Sequence, residues 1–294
     1  MSLNRRELLA TGAAVSALAL SRSVLAQPAP EPKPGAQLKL SSQLGVIPGK
    51  SLEEKLAKMK AWGFDAVELP GDVAAKGETY KKAADNAGLK ISAVCWGSCG
   101  GKLVSEDESK RIDGIKQLKE TLAAAGEVGS TGVIFVPAFN GQTKLTNQEI
   151  RKVLLDIMPE IGEYAVQVKS RVLFEPLNRR EAFFLRQLAD AAAICRDINS
   201  PGVCMMGDFY HMYIEETSDY AAFIAAGDYL HHVHLASRTR KLPGQDDRSF
   251  IGGFRGLKFI GYRDYCSFEC GVLGDREVEI PKSMAFLREQ WEQA

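Results

Sequence analysis

From Leu38 to the C-terminus the hydrophobic and polar positions repeat one theme. A short apolar run, rich in β-branched residues, is followed by a longer stretch whose apolar positions fall at helical spacing. The short runs predict strands over 38–44, 66–69, 91–96, 132–137, 171–176, 203–206, 230–235 and 265–269. The longer stretches predict helices over 51–62, 78–87, 106–128, 147–168, 181–198, 218–226 and 280–291. Ser51 with Glu54 reads as a capping box, Gly88 and Gly129 read as helix stops, and Asn199-Ser200-Pro201 ends another helix. Eight strands, nearly all followed by a helix, demand a parallel sheet. Eight such units in about 255 residues fit a (β/α)8 barrel. A doubly wound open sheet would need a phosphate-binding glycine turn after its first strand. Leu44-Gly45-Val46-Ile47-Pro48-Gly49 is not one, which favours the barrel.

The N-terminus does not share this theme. Arg5-Arg6 precede an apolar run, 8–20, too short to span a bilayer, and Val24-Leu25-Ala26 offers a cleavage site. Residues 1–26 therefore resemble a twin-arginine signal peptide, which predicts export to the periplasm. No Cys follows Ala26, so no membrane anchor is expected after cleavage. Residues 27–37 carry Pro28, Pro30, Pro32 and Pro34 and read as an extended linker. The barrel is expected over 38–294.

Composition is that of a soluble globular chain, with 45% hydrophobic and 25% charged residues. Lys+Arg and Asp+Glu both number 37, and this balance argues against a nucleic-acid partner. Cys95, Cys99, Cys195, Cys204, Cys266 and Cys270 lack zinc-knuckle spacing; export would permit disulfides without requiring them, and three of the six lie in apolar, strand-like runs where a buried thiol is expected.

In such barrels chemistry sits at the C-terminal ends of the strands. The fifth strand ends at Glu175, the sixth at Asp208, the seventh at His234 and the eighth at Glu269. Four metal-type ligands at successive strand ends suit a hard divalent cation, because three carboxylates gathered without one would repel each other. Side-chain alternation places His232 on the same inward face as His234, one level deeper, as a core or supporting histidine.

The strings Glu175-Pro176-Leu177-Asn178-Arg179-Arg180-Glu181, Asp208-Phe209-Tyr210-His211, His232-Val233-His234-Leu235-Ala236 and Phe268-Glu269 resemble the sugar phosphate isomerase/epimerase family. Its members have the xylose-isomerase-like TIM barrel and include ketose 3-epimerases and, as cousins, hydroxypyruvate isomerases. The resemblance implies a divalent cation held by Glu175, Asp208, His234 and Glu269, manganese foremost, with magnesium, cobalt or zinc as alternatives. It implies that Glu175 and Glu269 move the proton, and that Glu181, His211 and Arg240 contact a small sugar substrate. It leaves open a homo-oligomer. Ser237 stands where the family often has Asp, and Asp246-Asp247-Arg248-Ser249 replaces a Gly-His-x-Asp stretch. The sugar's identity is therefore open. Arg238, Arg240, Lys241, Arg248, Arg255 and Lys258 crowd residues 237–260 and read mainly as a solvated basic loop.

A cation bridging a keto group and the neighbouring hydroxyl stabilises a cis-enediolate. Reprotonation of the same carbon from the opposite face is epimerisation, and of the adjacent carbon, isomerisation. Expulsion of a β-substituent makes a 3-keto-glycoside lyase, the main alternative. An endonuclease of the same barrel class and a non-catalytic sugar-binding barrel rank below these. The first needs more histidines than the four present, and the second would have lost ligands.

Overall fold

The computed structural model describes residues 31–294, and residues 33–294 form one compact unit. The signal-peptide reading of 1–26 lies outside the described residues, as do linker residues 27–30. In chain order the elements are β1 (Lys39–Ser42), α1 (Leu52–Trp62), β2 (Ala66–Pro70), α2 (Val73–Ala87), β3 (Lys90–Gly97), α3 (Glu108–Val128), β4 (Val133–Phe135), α4 (Asn147–Gln167) and β5 (Val172–Phe174). There follow α5 (Leu188–Ile198), β6 (Val203–Asp208), α6 (Phe209–Glu215), α7 (Asp219–Ala226), β7 (Leu230–Leu235), α8 (Ile251–Phe259), β8 (Tyr265–Phe268) and α9 (Arg276–Gln293). The strands pair in parallel in the order β1-β8-β7-β6-β5-β4-β3-β2. The ring closes where Gln43, just past β1, bridges Glu68 of β2. This is the (β/α)8 barrel that the alternation predicts.

Most of the apolar core lies between the strands and the helices, with Phe135, Phe174, Phe209, Phe223, Phe254 and Phe268 fully buried. Inside the barrel a smaller cluster holds Ala93, Ile134, Leu173, Cys204 and Met206. The inward positions of β6 run Cys204, Met206, Asp208, so the layer above this apolar plug is polar. That period of two delivers the site.

The pattern misplaced several helix boundaries. The stretch 181–187 is not the start of α5. It loops over the barrel top, with Glu181 N–H and Ala182 N–H both donating to Asn178 O. The helix α6 was not predicted because Asp208 ends β6 and caps α6 at once, its Oδ1 accepting Tyr210 N–H at 2.6 Å. The helix α8 hides in Ile251-Gly252-Gly253-Phe254-Arg255-Gly256. Its glycines permit close packing, since a Cβ on Gly253 would lie 2.5 Å from the Phe209 ring. Ser51 caps α1 as read, but Glu54 accepts from Lys50 N–H rather than Ser51 N–H. The complete capping box is Thr146 with Glu149.

Residues 33–37 do not stand clear of the domain. Lys33 N–H donates to Phe259 O at 2.8 Å, Gln37 N–H to Tyr262 O at 2.9 Å, and Arg263 to Pro34 O at 3.0 Å. All six cysteines are free, and Cys195, Cys204 and Cys266 are buried. Among the described residues no helix is long and apolar enough to cross a membrane.

Candidate active site

The four strand-end residues converge. Glu175, Asp208, His234 and Glu269 each bring one ligand-type atom to within 4.8 Å of the others. His234 Nδ1 lies 3.5 Å from Glu175 Oε1, 3.8 Å from Asp208 Oδ2 and 3.4 Å from Glu269 Oε2. Asp208 Oδ2 and His234 Nδ1 are buried and have no hydrogen-bond partner. Two orphaned acceptors facing each other are costly in a protein interior, and a cation between them supplies what both lack. An oxygen-rich set with one imidazole fits a divalent ion of the magnesium–manganese–cobalt type.

The electrostatics agree. Burial pushes the Glu175 carboxyl above its ordinary range, helped by the nearby charge of Glu269. Burial, with Glu269, raises Asp208 to about 6. Burial also works to raise Glu269, but His234 and Arg240 beside it override burial and hold that carboxyl at about 2. Crowded carboxylates of this kind are what a divalent cation relieves.

The histidines are oriented by their second nitrogens. His234 Nε2 faces both oxygens of Glu68, at 3.0 and 3.1 Å, and His232 Nε2 lies 2.8 Å from Glu68 Oε2. Each Nε2–H thus donates to the carboxylate, which leaves the Nδ1 lone pair of His234 aimed at the cluster. His232 stands one level below the four-residue cluster and is engaged with Glu68. Glu68 is buried, and burial would raise its pKa, but His234 and His232 override this and hold it well below the carboxylate range. The Gln43 amide completes the arrangement, with Nε2 2.9 Å from Glu68 Oε1 and 3.0 Å from Glu269 Oε1. The sequence reading passed over both residues. A signal existed: Val67-Glu68-Leu69-Pro70 has the same pattern as Phe174-Glu175-Pro176, a carboxylate in an apolar strand stopped by proline.

The three residues expected to touch substrate stand beside the cluster. Arg240 donates to Glu269 Oε2 at 2.8 Å and to Glu181 Oε1 at 3.1 Å, and its guanidinium lies over the Tyr210 ring. His211 Nδ1 accepts the Asn178 backbone N–H at 3.2 Å, so its neutral ring carries the proton on Nε2. Burial lowers the pKa of this imidazole, which keeps it neutral. Its Nε2 is buried without a partner, 3.6 Å from Asp208 Oδ2. Glu181 is held by Asn178 Nδ2 at 2.9 Å. The loop 178–187 is pinned by Glu215, which accepts from Arg179 N, Nε and Nη2 at 2.7, 2.8 and 3.1 Å. Glu215 and Asn178 are further supports that the sequence alone did not single out.

The solvated basic loop holds only in part. Arg238 and Arg255 are exposed. Arg248 is buried, donates to Phe209 O and to Asp219 Oδ2, and stacks on Phe209 and Tyr213. It fastens the segment after β7 to α6, which carries His211.

Comparison with known proteins places this geometry. The family described as Xylose isomerase-like TIM barrel matches residues 56–290. A 3-dehydro-D-guloside 4-epimerase of Escherichia coli (strain K12) is 30% identical over 262 residues, 85% of this chain and 99% of that protein. An L-ribulose 3-epimerase of Mesorhizobium japonicum is 27% identical over 246 residues, covering 82% of each. Among solved structures, the apo form of a 3-keto-D-glucoside 4-epimerase from E. coli superposes with a TM-score of 0.76 at 28% identity, covering 86% of this chain and all of that one.

Proposed function

The chain belongs to the xylose isomerase-like TIM barrel family and is an enzyme, and from that premise we propose that it is a divalent-metal-dependent epimerase of a ketose or keto-sugar. The observation that carries this reading is the convergence of Glu175, Asp208, His234 and Glu269, with two buried acceptors left unsatisfied. Relatives named as epimerases at carbons 3 and 4 of keto-sugars support the inversion of a carbon beside a keto group.

Those four residues would hold the cation, manganese first and magnesium, cobalt or zinc next. When bound, it would draw charge onto the keto and neighbouring hydroxyl oxygens and so stabilise an enediolate. The protein's own groups do the rest. Glu175 and Glu269 come from strands separated by β6 and β7 and flank the reacting carbon. One takes the proton and the other delivers one to the opposite face. His211 Nε2–H and the Arg240 guanidinium donate to substrate oxygens, and Glu181 accepts from a hydroxyl. Gln43 fixes Glu269 Oε1, so Oε2 alone turns toward the cluster. Export by the twin-arginine route, with removal of residues 1–26, is part of the same proposal.

The test is solvent exchange. In D₂O the manganese-loaded enzyme should place deuterium at the inverted carbon of its product, read by NMR. Glu175→Gln and Glu269→Gln should each cost about 10²–10⁴-fold in turnover, as loss of a general acid or base does. Turnover with neither solvent exchange nor internal return of a labelled proton would overturn the enediolate route. Release of the substituent instead of inversion would make the enzyme a keto-glycoside lyase.

A further inference from the structure

The groups assigned to grip the sugar lie on one side of the cluster. Glu181, His211 and Arg240 come from the segments after β5, β6 and β7. On the other side, past the ends of β1, β2 and β3, a cavity of about 330 Å³ adjoins Glu68 and Glu269. Leu44, Leu69 and Pro70 give it apolar walls, and Gln43 and Lys55 give it polar ones. Both described N–H bonds of the Gln43 amide go to Glu68 and Glu269, which leaves its carbonyl oxygen to accept a hydroxyl. Lys55 Nζ donates to Leu44 O at 2.9 Å and keeps further protons to donate.

Mixed walls of this kind suit a ring with C–H faces and hydroxyl edges. The size is compatible. Pockets of about 300–1,000 Å³ hold drug-sized ligands, and this cavity, at about 330 Å³, falls at the lower end of that range. The three-carbon tail that a ketohexose extends beyond its reacting carbons would leave most of it to water. In a keto-pyranoside that reacts at carbon 4, carbon 1 lies across the ring and projects its substituent away from the reacting oxygens.

We propose that this cavity is a subsite for the glycosidic substituent, and that the substrate is a keto-glycoside rather than a free ketose. The proposal rests on the epimerase reading above and narrows it. Gln43 and Lys55 meet the polar atoms of the substituent, and Leu44, Leu69 and Pro70 cover its ring face. Contact made there strengthens turnover at the far end, because remote binding energy is spent at the reacting centre.

The full chain, loaded with manganese, is assayed on 3-keto-D-glucose and on its methyl and phenyl glycosides, which share one reacting ring. For the wild type kcat/KM should climb along this series by about tenfold or more, with part of the rise in kcat. A Cβ on Gly45 meets nothing within 4 Å and its backbone is not left-handed, so a side chain can start there without strain and Gly45→Phe adds bulk beside the cavity. It should flatten the series. Leu44→Ala, which removes one wall, should lower the phenyl glycoside more than 3-keto-D-glucose. Metal content and melting temperature confirm that each variant is folded. A flat wild-type series, or a slope that Gly45→Phe and Leu44→Ala leave intact, overturns the subsite. Turnover of D-fructose with none of the three keto-sugars also overturns it while the epimerase stands. Turnover of neither class removes the epimerase reading itself.

Discussion

Replacing Glu68 by Gln keeps the volume of the side chain and removes one acceptor and the charge. Glu68 takes N–H groups from His232 at 2.8 Å, from His234 at 3.0 and 3.1 Å, and from Gln43 at 2.9 Å. A glutamine offers one acceptor oxygen and an NH₂ that must itself find an acceptor. One imidazole then has to accept where it donated, and its proton moves to Nδ1. In His234 that proton lands on the atom facing Glu175, Asp208 and Glu269, and the lone pair meant for a cation is gone. In His232 it lands on a buried nitrogen with no partner. In either case the imidazole facing the cluster loses the carboxylate that raises its basicity. Loss of such a support weakens metal binding by about 10–100-fold, or roughly 1.4–2.8 kcal/mol. Titration of the metal-free protein with Mn²⁺ against a chelating dye measures it. The expected result is one site per chain in both proteins, with Kd raised by that factor in Glu68→Gln. An unchanged Kd at unchanged stoichiometry would show that Glu68 does not orient His234, and the tautomer assignment would fall with it.

Asp208→Ala should purify with little bound metal by elemental analysis, and should also lose about 1 kcal/mol of stability, because Asp208 caps α6; full metal content would mean other residues are the ligands. His231 lies 2.7 Å from Asp264. Burial opposes its proton, but Asp264 and the Cys204 thiol outweigh burial and raise it to about 9. The native value exceeds the unfolded one of about 6.5, so the pair stabilises the fold fully below pH ~6.5 and loses that contribution as pH rises through about 9. The gap in melting temperature between wild type and Asp264→Asn should therefore shrink from pH 6 to pH 9.5, and a constant gap would count against the pair. Arg5→Lys with Arg6→Lys should strand the precursor in the cytoplasm, and unchanged periplasmic delivery would rule out the twin-arginine route.

The barrel was legible because strands and helices in this chain differ in hydrophobic period, and a parallel order leaves few alternatives. Boundaries were less so, for reasons specific to each segment. Residues 181–187 have helix-like content, yet the Glu181 and Ala182 N–H groups turn back to Asn178 O and Gln187 Nε2 donates to Glu215 O, 28 residues away, which only the folded chain brings near. In α8 the glycines read as loop, and tertiary packing of Gly253 on Phe209 and of Gly256 on Tyr220 overrides propensity. Arg248 read as solvated because its partners, Phe209 and Asp219, lie 39 and 29 residues away.

The site divides in the same way, and the division has a physical cause. Glu175, Asp208, His234 and Glu269 could be found from the sequence because each ends a strand, and strand ends share a level in a barrel. Glu68 stands in the middle of β2, three strands from β5, so it lies outside the run of four strand ends, and a lone buried carboxylate reads as structural. Its meaning comes from closure. The ring is joined between β1 and β2 through Gln43 and Glu68, and those two side chains hold Glu269 and His234 from behind. The seam that completes the barrel is therefore also the support of two cluster residues on β7 and β8. A substitution that loosens the seam should loosen the metal site before it unfolds the barrel. The barrel's stability rests on the phenylalanine-rich core between strands and helices, whereas the support behind the cluster rests on three N–H groups donated to a single carboxylate.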